Sequence, residues 1–213
     1  MKVILVNGSP RADGCTFTAL KIIQERLMEN GIEAPIYQVG SKPVIGCTGC
    51  GGCARTGKCV HTGDAVNEVA SNLRAADGLI VGSPVHYASA SGAVTSFMDR
   101  LFYSMRSSDL KLKFGASVVS CRRGGASAAF DQLNKYFTIS QMPVVSSCYW
   151  NMVHGFTPAD VYADKEGVRT MQVLADNMAY LIKMKHAANL PLPEEPPRAW
   201  TNFVREDLLA ENK

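Results

Sequence analysis

Short β-branched runs alternate along this chain with segments whose apolar positions recur every three to four residues. Residues 2–7 (KVILVN) predict a first strand, ending in a Gly-Ser-Pro turn. Leu20, Ile23 and Leu27 then fall on one face of a helix over 16–29. Residues 33–39 give a weaker second strand. After a polar stretch, Asp64 is placed to cap a helix running to about 75, with Val66, Val69, Ala70 and Leu73 inward. Further strands are predicted at 78–82, 114–121 and 143–149, and further helices at 92–104, 126–138 and 165–185. Cys121 and Cys148 in this reading are small buried apolar residues, and Met171 and Met178 belong to the core. Strand followed by helix, five times over, implies a doubly wound α/β fold: a five-stranded parallel sheet between two layers of helices. Ligands of such sheets bind beyond the C-terminal strand ends, which points to the loops 8–16, 83–91 and 121–127.

The last segment breaks this rhythm. Pro191, Pro193, Pro196 and Pro197 rule out a continuous helix or a central strand in the tail from 188 to 213. Its extended character suggests a segment that wraps a neighbouring subunit. The domain is therefore expected over 1–187, with a cysteine-rich loop inserted at 41–63.

Composition narrows the class. The 213 residues are 46% apolar and 19% charged, with a net charge of +3, a globular balance. That charge is too mild for nucleic acid, and no apolar run approaches the roughly 20 residues of a membrane span. The N-terminal MKVILVNGSP reads as a strand and not as a leader. Seven cysteines is an odd count, with four crowded together, unlike a disulfide framework. A reducing, cytoplasmic location is expected.

The crowded four are Cys47, Cys50, Cys53 and Cys59, in the run GCTGCGGCARTGKC with spacing C-x2-C-x2-C-x5-C. Four thiolates so near in sequence can converge on one inorganic centre, and Gly46, Gly51 and Gly52 give the loop freedom to wrap it. The consecutive C-x2-C steps resemble the iron–sulfur spacing of bacterial ferredoxins. Structural zinc more often uses two separated pairs; zinc, or free thiols, stays open as an alternative. His61, just past Cys59, could tune or replace a ligand.

The loop after the first strand is GSPRADGCT, opening a helix. The hydroxyls of Ser9 and Thr16, the Arg11 guanidinium and free amides at a helix N-terminus suit a phosphate dianion. Neither a P-loop nor a dinucleotide-fold glycine pattern is present, and an ordinary capped turn is the plain alternative. In the second loop Pro84, Val85, His86 and Tyr87 offer a stiff flat wall. In the third, Gly124 and Gly125 let backbone approach a ring edge, and Arg122 or Arg123 could bind an anion. Taken singly, His86 and His154 read as loop histidines and the arginines as solvated. Trp150 and Trp200 read as packing or interface residues. Three such loops on one sheet edge favour a flat, phosphorylated cofactor.

The segments NGSPRADGCTFTAL, GCTGCGGCARTGKCV, ADGLIVGSPVHYASASGAVTSFMDR and SCRRGGASAAFDQLN together resemble the flavodoxin-fold NAD(P)H-dependent FMN reductases, and within them the iron–sulfur flavoproteins. The resemblance covers about residues 1–185. It implies a flavodoxin-like strand order 2-1-3-4-5. It implies an FMN phosphate held by Ser9, Arg11, Cys15, Thr16 and Phe17, although the family carries Asn where this chain has Cys15; a backbone contact there tolerates the change. It also implies an isoalloxazine along Pro84, Val85, His86 and Tyr87, with Arg122, Gly124 and Gly125 at its pyrimidine edge. Cys47, Cys50, Cys53 and Cys59 then correspond to ligands of a four-iron four-sulfur (4Fe-4S) cluster. No side chain is required as an acid or base, because the cofactor carries the chemistry. NAD(P)H or a reduced carrier is the implied donor, the electron acceptor is unknown, and a homodimer or homotetramer is implied. The alternatives are a cluster-free FMN or quinone reductase and a zinc-stabilised, non-catalytic binding module.

Overall fold

A computed structural model describes residues 1–197. Its elements in chain order are β1 (Val3–Asn7), α1 (Cys15–Glu29), β2 (Ile36–Gln38), α2 (Gly52–Thr56), α3 (Val66–Arg74), β3 (Gly78–His86), β4 (Ser89–Ala90), α4 (Gly92–Ser104), α5 (Ser107–Leu110), β5 (Phe114–Cys121), α6 (Ala126–Ile139), β6 (Met152–His154), α7 (Pro158–Ala163) and α8 (Lys165–Ala188). The parallel order is β2-β1-β3-β5-β6, with the two-residue β4 folded back antiparallel on β3. Leaving out that hairpin strand, this is the expected 2-1-3-4-5 sheet.

Successive residues of the fully buried strands point to opposite faces. Val3 and Leu5 of β1, Ile80 of β3, and Ala116 and Val118 of β5 join α1 and α8 in one core. Ile4 and Val6, Leu79 and Val81, and Val119 join α3, α4 and α6 in the other. This is why these strands are continuous apolar runs and not alternating ones. The first layer is clasped from outside by Arg26 of α1, which donates to both carboxylate oxygens of Asp176 on α8 (2.8 and 3.0 Å), with Asn30 adding a third bond at 2.9 Å.

Three expectations need correction. The fifth strand is not 143–149. The chain touches β5 there at one bridge, Gly115 with Val144, then leaves the sheet and returns as β6 beside Val119–Cys121. Ser147 is the reason: its hydroxyl bonds the Tyr149 carbonyl (2.6 Å) and the Asn151 side chain (2.7 Å), a local alternative to the ladder. Cys148 consequently lies exposed in this excursion and not in the core, with Arg169 donating to its sulfur at 3.1 Å. Asp64 does not sit at the N-cap position of α3, which Ala65 occupies. One of its oxygens accepts from Val66 N–H, and the other pairs with Arg100. The tail is described only to Pro197, where Lys111 holds the Pro193 carbonyl and the Glu195 carboxylate. Trp200 lies outside the described residues.

Candidate functional site

Two clefts gather residues singled out from the sequence. The first opens where β1, β3, β5 and β6 end, and Ser9, Arg11, Cys15, Thr16, Pro84, Val85, Cys121 and Arg122 line it. All of these come from the three loops read from the sequence. Gly14, Ser120, Gly155 and Phe156 complete it; the last two follow β6, whose position the sequence misplaced.

The β1–α1 loop is braced from below. Asn7, wholly buried at the end of β1, donates to Gln38 on β2 (2.5 Å) and to the Arg11 carbonyl (3.2 Å), and accepts from Ser9 N–H. Gln38 in turn donates to the Ser9 carbonyl at 2.7 Å. The Ser9 hydroxyl accepts from Arg11 N–H (3.1 Å), which curls the loop, and Ser91 donates to the Gly8 carbonyl (2.8 Å). Thr16 Oγ1 and Ser120 Oγ lie 2.7 Å apart, joining α1 to β5 under the cleft. Neither Asn7 nor Gln38 carried a sequence signal beyond ending a strand.

α1 begins after Gly14 without a side-chain cap. Its first amides therefore lack intrahelical partners and carry the positive end of the helix dipole. With Arg11 and Arg122 on the rim, the cleft suits an anion. Burial pushes the Cys15 and Cys121 thiols up from their ordinary range, so both stay protonated at neutral pH and act as small wall residues.

Phe17, His86, Tyr87, Gly124 and Gly125 do not line this cleft. Phe17 lies in the first turn of α1. β3 runs on to His86 and pairs back through Ser89, so Tyr87 and Ala88 form a two-residue turn with φ of 51° and 59°. A primed turn demands such values, which usually select Asn-Gly; a Tyr there is strained, and Tyr87 projects fully into solvent. Gly125 sits behind this tip at φ 89°, where a Cβ would meet the Ala88 Cα at 2.7 Å. Gly125 thus holds up the aromatic loop.

The second cleft is lined by all four clustered cysteines, together with His61, Arg100 and Tyr103. Within the loop, α2 carries Cys53 and is bracketed by Gly51 (φ 68°) and Gly57 (φ 65°), left-handed positions that reverse the chain on either side. Asn67 of α3 grips Cys59 by both backbone groups, N–H and C=O, at 2.9 Å each, and Arg74 donates to the Gly57 carbonyl at 2.8 Å. From α4, Arg100 donates to Cys59 Sγ at 3.2 Å. His61 faces Thr48 at 3.3 Å. Among the described residues, no three Cys, His, Asp or Glu side chains gather closely enough to hold a single metal ion.

α4 joins the clefts. Its cap Ser91 bonds the β1–α1 loop, and Arg100, nine positions on, bonds the cysteine loop, a separation of roughly 13 Å along the axis. Among the described residues no helix is long and apolar enough to cross a membrane.

Known proteins share this fold. The model of the NADPH-dependent FMN reductase family matches residues 1–157. An iron–sulfur flavoprotein of Methanocaldococcus jannaschii is 31% identical over 191 residues, covering 86% of this chain and 98% of the relative. Among solved structures, a flavodoxin from the domain Archaea superposes with a TM-score of 0.58 at 16% identity over 86% of this chain and 99% of that one. RosB with a bound 8-demethyl-8-formylriboflavin-5'-phosphate intermediate superposes with a TM-score of 0.66 at 13% identity over 97% and 96%; both show the flavodoxin-like fold. The chain belongs to the NADPH-dependent FMN reductase family of oxidoreductases, alongside the iron–sulfur flavoprotein that it matches over nearly that relative's full length.

Proposed function

We propose that this oxidoreductase holds the FMN phosphate in the β1–α1 cleft and a four-iron four-sulfur cluster on Cys47, Cys50, Cys53 and Cys59, and relays electrons from NAD(P)H or a reduced carrier to a separate acceptor. When bound, FMN accepts a hydride and releases single electrons, and an iron–sulfur cluster accepts them one at a time. The chain supplies binding, orientation and electrostatics. Ser9, Thr16 and the first amides of α1 face the phosphate, Arg11 balances its charge, and Arg122 stands at the pyrimidine edge of the ring. Pro84 and Val85 bound the ring from one side. Neither Cys15 nor Cys121 offers a thiolate for covalent chemistry.

One observation carries the cluster: four cysteines, an insert in the sheet's connections, line one cleft and are tied down from both α3 and α4. Around a four-iron cluster each thiolate would bind a different iron. Unpaired cysteines throughout the chain suit a reducing cytoplasm. Exposed Tyr149 and Trp150, together with Phe156 in the cleft wall, support a homodimer or homotetramer that covers them.

The test is metal, sulfide and flavin analysis of anaerobically purified protein, wild type and Cys50→Ala. The expected result is iron with acid-labile sulfide in the wild type, and an iron-poor variant that still binds FMN. Zinc in place of iron, or no metal, overturns the cluster; no flavin spectrum after FMN addition overturns the whole reading.

A further inference from the structure

Arg100 is among the largest fully buried side chains, 1% exposed. Burying a guanidinium is costly unless its donors are matched, and here every bond goes to the cysteine loop or its exit. Nη1 donates to the Ile45 carbonyl (3.4 Å) and the Asp64 carboxylate, Nη2 to the His61 carbonyl (2.8 Å), and Nε to Cys59 Sγ (3.2 Å). Ile45 lies two residues before the first cysteine of the run and His61 two after the last, so one side chain closes both ends of the loop.

Closing the loop needs only the carbonyl bonds. The Nε–H aimed at a sulfur does something more. We propose that Arg100 is a positioning residue that sets the reduction potential of the centre held by the four cysteines, acting through Cys59, with Asp64 opposing it. This inference rests on the cluster reading above. Reduction adds one electron to the centre and breaks no bond. A cationic donor in a dry position favours the more negative, reduced state, so Arg100 raises the potential; hydrogen bonds to cluster sulfurs are a recognised lever on it. Asp64 neutralises part of the cation and lowers the potential. The two residues therefore have effects of opposite sign, which a purely structural tie would not produce.

The experiment is an EPR-monitored redox titration of anaerobic full-length protein, with iron and FMN content measured alongside, for wild type, Arg100→Gln, Arg100→Lys and Asp64→Asn. The expected shifts from wild type are negative for Arg100→Gln, smaller and negative for Arg100→Lys, and positive for Asp64→Asn, with FMN content unchanged. Iron-replete variants that titrate at the wild-type potential, or that shift in one common direction, overturn the proposal and leave the cluster reading standing. Loss of iron from all three variants with FMN retained also overturns it, reducing Arg100 to a scaffold. If Arg100→Gln alone loses iron, the signs of the other two decide. Iron-free wild-type protein sinks the cluster reading and this proposal together.

Discussion

Asn7 and Gln38 are joined across β1 and β2 by a 2.5 Å side-chain hydrogen bond, directly beneath the Ser9–Arg11 turn. Through it a buried amide on the inner strand β1 and a polar residue on the edge strand β2 fix the shape of the β1–α1 loop. Replacing Asn7 with Ala strips Gln38, the Arg11 carbonyl and Ser9 N–H of a partner at once. The expected loss is about 1–3 kcal/mol of stability, read by denaturant unfolding, together with weaker FMN binding by fluorescence titration. Unchanged FMN affinity would show that the brace does not shape the loop.

Arg11 and Arg122 line the first cleft from opposite loops. Arg11→Ala and Arg122→Ala are each expected to weaken FMN binding by about 1.5–3 kcal/mol, the range of a charge-assisted hydrogen bond. Riboflavin, which lacks the phosphate, separates them. A residue on the phosphate leaves riboflavin affinity unmoved, and one on the ring weakens both ligands.

Gly40 passes so close to the same loop that a Cβ would stand 2.4 Å from the carbonyl oxygens of both Gly8 and Ser9. Backbone cannot give way as a side-chain tip can. Gly40→Ala is expected to cost about 1–3 kcal/mol and to lower FMN affinity with it. A variant that melts and binds as wild type would mean the crossing is looser than described.

The Arg26 bonds hold the Asp176 carboxyl below the usual carboxylate range, outweighing partial burial and helped by Asn30. A depressed acid contributes stability that is fully present above its unfolded pKa of about 3.9 and is lost as pH falls through the lower folded value. The α1–α8 clasp should therefore weaken below about pH 4. Thermal melts from pH 7 to pH 3 should show a shallower acid decline for Asp176→Asn, from a lower starting point. Parallel curves would exclude Asp176 from the acid limb.

Much of this was legible before any coordinates. The buried strands β1, β3 and β5 are continuous apolar runs, so they announce themselves, and α4 begins and ends where its periodicity does. The edge of the sheet was less legible. Ser147 turns its hydroxyl to the Tyr149 carbonyl and the Asn151 side chain, a local arrangement that a run of β-formers such as PVVSSCY conceals. The length of β3 was also hidden, because its last residues form a hairpin around a Tyr-Ala turn that carries no hairpin signature.

The amino-acid order by itself determined the layer architecture, the three loops that meet at the strand ends and the four cysteines, because each depends on spacing between near neighbours in the chain. Only the tertiary structure decided that Gly155 and Phe156 join the first cleft, that Tyr87 stands outside it, and that Asn7, Gln38 and Arg100 brace the two loops. Those relationships join residues tens of positions apart, Arg100 and Cys59 among them. Whether a polar side chain is solvated or buried against a distant partner depends on which strands become neighbours, and no local periodicity encodes that.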